Sequence, residues 1–150
     1  MHREDVLTMM HNNKFEEFDA YLESYATENE TSLNYWGNCA CADASNLIEQ
    51  FTEEDWGELF NSLNNRSDLW KERLAECIWD VNESHQLRVL EELIHTNNDA
   101  LFLSVIEAFS CSINSGSYKF DGEIKKRIEK LLTVLEGSVD SVVLLHTLKT

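Results

Sequence analysis

Apolar residues along this chain recur at steps of three and four, with acids and amides between them. Phe15, Phe18, Leu22 and Tyr25 form one such stripe, which predicts an amphipathic helix over about 14–26. Leu47, Ile48 and Phe51 belong to another helix. Trp56, Leu59, Phe60 and Leu63 make the next stripe, then Trp70, Leu74, Cys77 and Ile78, then Leu87, Leu90, Leu93 and Ile94. Leu101, Phe102, Val105, Ile106 and Phe109 follow, and after a polar connection Ile124, Ile128, Leu131, Leu132 and Leu135. A short helix near 3–11 and a last one over about 138–148 complete the predicted set.

The polar punctuation agrees with these stripes. Thr52, Ser67, Ser84 and Asp121 stand where a side-chain oxygen would cap a helix N-terminus, and Glu53, Glu54 and Asp55 suit the first turn after Thr52. Asn64-Asn65, Asn82 and Asn97-Asn98 mark breaks, and Gly137 a stop. Thr27 to Asp43, with Asn34, Gly37 and Asn38, reads as a loop or a broken helix. Thr52 and Ser84, like Ser67 and Asn98, recur at an interval of about thirty residues, and paired short helices at that period are the pattern of helical solenoids. The expectation is one all-α domain over 1–150, with acidic helices and a loop in 1–45 packing on stacked helical pairs in 46–150.

From Phe51 to Phe109 the chain reads F-T-x-x-D-W-x-x-L-F, S-x-x-W-K-E-R-L-A-E-C-I, V-L-E-E-L-I-H-T-N-N and V-I-E-A-F. This stretch resembles the short HEAT-like helical proteins of bacteria, many of which are immunity proteins of contact-dependent inhibition and other polymorphic toxin systems. The resemblance implies an α-solenoid of antiparallel hairpins and a role in neutralising a toxin. It covers the middle of the chain clearly and the last helices loosely.

Charge sharpens the picture. The 150 residues carry 28 acids against 12 Lys and Arg, a formal net charge of -16, and there is no proline. Such a field repels nucleic acid and anionic membrane surfaces and draws in basic proteins, although acidity also serves plain solubility. The acids are unevenly placed: Phe15 to Asn65 contains no Lys or Arg. Self-repulsion on that scale opposes compaction, which points to an electropositive partner for this region. The charged start, Met1 to Asp5, is followed by no apolar run, and no stretch is long enough to cross a bilayer. The expectation is a cytoplasmic protein with Cys39, Cys41, Cys77 and Cys111 as reduced thiols. The N-x-S/T triplets at Asn29, Asn65 and Asn82 are then chance matches.

No catalytic or metal signature emerges. Glu92 and His95 make a single E-x-x-H step, where a di-iron bundle site needs two. Cys39 and Cys41 are too close for a structural zinc knuckle, and Cys77 falls on an apolar stripe. The five histidines sit in no nucleophile–base arrangement, and no glycine-rich loop cradles phosphate. Lys119, Lys125, Lys126, Arg127 and Lys130 cluster, but interleaved Glu123 and Glu129 make a solvated helix face the better reading, with Glu123 paired to Arg127. Trp56 and Trp70 read as core, while Trp79 ends its stripe. Tyr35 and Trp36 are either interface anchors or part of a loop folded onto the core.

The reading that joins these observations is a non-enzymatic, cofactor-free binder of a basic toxin domain of the nuclease type. Its candidate contacts are the acids Glu16, Asp19, Glu23, Glu53, Glu54, Asp55 and Glu58, with Tyr35 and Trp36 as aromatic anchors. A general HEAT-like adaptor is the alternative, and an all-helical enzyme or metalloprotein a third.

Overall fold

The computed structural model describes residues 14–78, 81–112 and 119–134. Among these the chain is all-helical, with no strand. The elements are α1 (Lys14–Tyr25), α2 (Glu30–Tyr35), a π-helical turn (Trp36–Ala40), α3 (Cys41–Glu49), α4 (Glu53–Ser62) with a 3-10 turn (Leu63–Asn65), α5 (Asp68–Cys77), α6 (Glu83–Leu93), α7 (Asp99–Ser112) and α8 (Gly122–Val134). The helices expected near 3–11 and 138–148, the stop at Gly137 and the place of Trp79 lie outside the described residues.

Local chemistry explains most of the boundaries. Thr52 Oγ1 accepts from the Asp55 N–H while the Asp55 carboxylate accepts from the Thr52 N–H, a complete capping box. Ser67 caps α5 by accepting from the Trp70 N–H, Asn98 accepts from Leu101 N–H, and Asp121 accepts from Ile124 N–H. At α6 the cap is Asn82, not Ser84: Asn82 Oδ1 accepts from both the backbone and the hydroxyl of Ser84, which lies inside the first turn.

The segment from Thr27 to Asp43 is more regular than its composition suggests. From Glu30 onward it is helical, and the break takes the form of one π turn, in which the Cys41 N–H donates to the Trp36 carbonyl. Trp36, Ala40, Ala44 and Ile48 are all buried along one side of this composite helix. Phe51 lies just beyond α3 rather than in it, yet it joins the core edge-on to Phe18 and Trp56, with ring centroids 5.3 and 5.2 Å apart.

α5 is the hub. It packs against α1, α3, α6 and α7, and its Trp70, Leu74 and Ala75 are fully buried. α1 lies across α3, α4 and α5 and inserts Phe15, Phe18 and Leu22. α6 and α7 pack together beyond α5. The resulting core is one continuous cluster running from Phe15 to Leu131. This arrangement fixes which acids of the N-terminal half face outward.

Candidate partner-binding face

The outward side of α1 carries Glu16 and Glu23, both exposed, with Asp19 turned towards the loop before α5. Asp19 accepts two hydrogen bonds from Arg66, from Nε at 2.8 Å and Nη2 at 2.7 Å. The Arg66 guanidinium also lies over the rings of Phe15 and Trp70, at 6.0 and 5.6 Å from their centroids. Between these groups runs a groove of about 530 Å³ lined by Glu16, Asp19, Glu23, Asn65, Arg66 and Ser67.

The start of α4 adds a second set of carboxylates. Glu53 and Glu54 are exposed, and Glu58 follows one turn on, half-buried. The Glu58 carboxyl is raised above its ordinary value by desolvation first, then by the charges of Asp55, Glu16 and Glu54. Residues from α1 and α4 therefore share one electrostatic field. Glu53 also stands 3.3 Å from His85 Nε2, and the His85 imidazole is stacked on Trp56 with ring centroids 4.5 Å apart.

Two of the nine sequence-derived residues are internal, and this corrects the expectation for both. Asp55 is 1% exposed: besides closing the capping box it accepts from the Phe15 N–H at 3.3 Å, tying α1 to α4. Trp36 is 2% exposed and packs against Tyr25, with the Arg73 guanidinium 5.8 Å above its ring. Its Nε1 finds no acceptor among the described residues, a deficit that costs about 1–3 kcal/mol. Tyr35, the neighbouring residue, is 53% exposed and stacks on Tyr25 at 6.1 Å. It sits on the opposite flank of α1 from the groove, because Tyr21 and Tyr25 face α2 and α3 while Asp19 faces Arg66.

The fold therefore brings Glu16, Glu54 and Glu58 together, places Asp19 and Glu23 along the adjoining groove, sets Glu53 at the end of α4, and leaves Tyr35 apart. Sequence reasoning missed Arg66, Arg73 and His85. The first is the cation that ends the acidic stretch, a position that could have flagged it as the compensating charge. Arg73 is 5% exposed, donates to the carbonyls of Tyr25 and Thr27, and pairs with Glu76 at 2.7 Å. In the basic cluster Arg127 pairs with Asp99 across helices, at 2.9 Å, where Glu123 had been expected, and lies over Phe102. Among the described residues no three His, Cys, Asp or Glu side chains are grouped to hold a metal ion, and no helix is long and apolar enough to cross a membrane.

No family model, curated protein or solved structure matches this chain.

Proposed function

We propose that this chain is an immunity-type protein, a short HEAT-like stack of helical hairpins that binds and neutralises a basic toxin domain, most simply a nuclease. The packing of α5 on both α3 and α7 is what such a stack requires, and the capped pairs at an interval of about thirty residues support it. The observation that carries the functional reading is the state of Glu58. Its carboxyl is raised by desolvation first and then by the charges of Asp55, Glu16 and Glu54, so carboxylates of two helices act on one another across this face. Carboxylates gathered at such a cost gain when a positive surface approaches: repulsion becomes attraction, and encounter is steered. A nuclease cleft built to hold phosphates has that charge, and carboxylates on this face would stand where phosphates lie. A delivered toxin acts in the cytoplasm, which is where this protein would work.

The test is co-expression with the toxin domain encoded by the adjacent upstream gene. Restored growth and a one-to-one complex on purification are the expected results. A toxic product that neither co-purifies nor loses toxicity contradicts the proposal, and binding to unrelated basic and neutral proteins alike would favour a general adaptor.

A further inference from the structure

Arginine is used in one way throughout the described residues. Each of the four arginines there lays its guanidinium over aromatic rings: Arg66 over Phe15 and Trp70, Arg73 over Trp36, Arg127 over Phe102, and Arg88 over Phe60 at 3.8 Å from the ring centroid, the closest of these contacts. Three of them add a carboxylate: Asp19, Glu76 and Asp99 stand 2.7, 2.7 and 2.9 Å from Arg66, Arg73 and Arg127. Arg88 is exposed and has no hydrogen bond or ion pair among the described residues. Glu91 and Glu92 stand three and four positions on along α6, where a helical ion pair would form, yet the guanidinium turns across to α4 instead.

A guanidinium laid on a ring keeps its N–H donors along its own rim, free to fork a carboxylate. Beside it, α4 carries a glycine without a local cause. Gly57 lies inside the helix and is exposed, and an added Cβ would meet nothing within 4 Å. Alanine would fit there and favour the helix, so packing within the chain gives no reason for the glycine. Glu53, Gly57 and Phe60 follow at steps of four and three and share one strip of α4. Glu53 meets His85, and Arg88 sits one turn along α6 from that contact.

We propose that this strip and Arg88 form the part of the binding surface where the partner's backbone comes closest, over Gly57, and that Arg88 forks an aspartate or glutamate of the partner. The inference rests on the reading of this chain as a binder of a basic toxin domain and names the contact that selects among such domains. Arg88 then takes from the partner the carboxylate that Arg66, Arg73 and Arg127 find within the chain. Glu53, Glu91 and Glu92 around the arginine repel a polyanion, so a single carboxylate set in an otherwise basic surface is the match. A basic domain without that carboxylate is still drawn to the acidic face but meets Arg88 with like charge, which is how one steering field can serve a specific pair.

The test is surface plasmon resonance on the full chain, with the toxin domain encoded by the adjacent upstream gene as the probe. Gly57→Ala should raise the melting temperature of the free chain by about 2–4 °C. It should still weaken the complex about tenfold, because a methyl group then stands where the partner's backbone lies. Arg88→Gln should speed dissociation about tenfold and leave the association rate within about twofold, the reverse of what loss of Glu16, Glu54 and Glu58 does. Arg88→Lys keeps the charge without the fork and should not restore the complex. In double-mutant cycles the loss from Arg88→Gln should disappear against one Asp→Ala or Glu→Ala variant of the partner. Wild-type binding that either Gly57→Ala or Arg88→Gln leaves unchanged overturns this inference and leaves the proposed function standing. A wild-type chain that does not bind the domain removes both.

Discussion

Asp19 and Arg66, 47 positions apart, meet through two parallel hydrogen bonds, and that fork joins the first described helix to the loop before α5. Both side chains are about a quarter exposed, so the pair contributes about 0.5–1 kcal/mol. The cover that Arg66 gives to Phe15 and Trp70 adds a comparable amount. Arg66→Ala is expected to lower the unfolding free energy by about 1–2 kcal/mol in urea titrations. A double-mutant cycle with Asp19→Ala should return a coupling of about 0.5–1 kcal/mol, and strict additivity would refute the pair. Because Arg66 is the cation lining the groove, Arg66→Gln should also speed association with a basic partner.

Asp55 holds two jobs, capping α4 and receiving the Phe15 N–H. Thr52→Ala removes only the cap and should cost about 1 kcal/mol. Asp55→Ala leaves a buried N–H unmet as well and should cost about 2–3 kcal/mol. Equal losses in thermal or urea unfolding would mean that the link to α1 contributes nothing.

Glu58 gives the pH dependence of the acidic face. Its folded-state pKa is raised, by desolvation and then by Asp55, Glu16 and Glu54. The folded state therefore holds this proton more tightly than the unfolded state does. Stability from this group rises as pH falls through the raised folded value and levels off below the ordinary glutamate range, about 4.3. Glu58→Gln should accordingly stabilise the protein at neutral pH, by no more than about 0.5 kcal/mol, because solvent reaches the half-buried carboxyl and screens it. The gain should vanish at low pH, where wild type and variant carry the same charge. A destabilised variant at pH 7 would contradict the crowding of Glu58.

The His85 ring lies face to face with Trp56, and its Nε2 reaches towards Glu53. Removing the ring in His85→Ala should cost about 0.5–1.5 kcal/mol and alter tryptophan fluorescence, while His85→Phe keeps most of the stability. If the two variants unfold alike, the stack does not support the α4–α6 contact.

The cysteines should separate by reactivity. Cys39 is exposed, Cys41 is half-buried with its thiol pushed up to about 11 by burial and by Glu76, and Cys77 is buried with its thiol raised well above its ordinary value by burial. Alkylation of the native protein read by mass spectrometry should modify Cys39 first, Cys41 slowly, and Cys77 only on unfolding. Early labelling of Cys77 would show that α5 is not the stable hub described.

Much of the architecture was legible because its causes are local. Thr52, Ser67 and Asp121 announce their helices through a side-chain oxygen and a following apolar period. The shift from Ser84 to Asn82 is a choice between two equally good caps two residues apart, settled when the helix begins at Glu83. Gly37, Asn34 and Asn38 are weak helix formers, and their composition alone predicts irregularity. Burial of Trp36, Ala40, Ala44 and Ile48 overrides it, with one π turn absorbing the extra residue. With no helical phase to read there, the sequence could not tell inward Trp36 from outward Tyr35. Nor did it reveal that Asp55 is internal, since its burial depends on a backbone donor forty residues away. The convergence of Glu16 with Glu54 and Glu58 is likewise tertiary: the acids were visible, their shared field was not.

The central claim is that this shared field steers a basic partner. The direct measurement is stopped-flow association with the purified basic toxin domain across a range of salt, for wild type and for the Glu16, Glu54 and Glu58 to Gln variant. Wild type should associate quickly at low salt and slow steeply as salt rises, and the variant should start at least about tenfold slower with a flatter dependence. Identical rates for both proteins at every salt concentration would contradict the account.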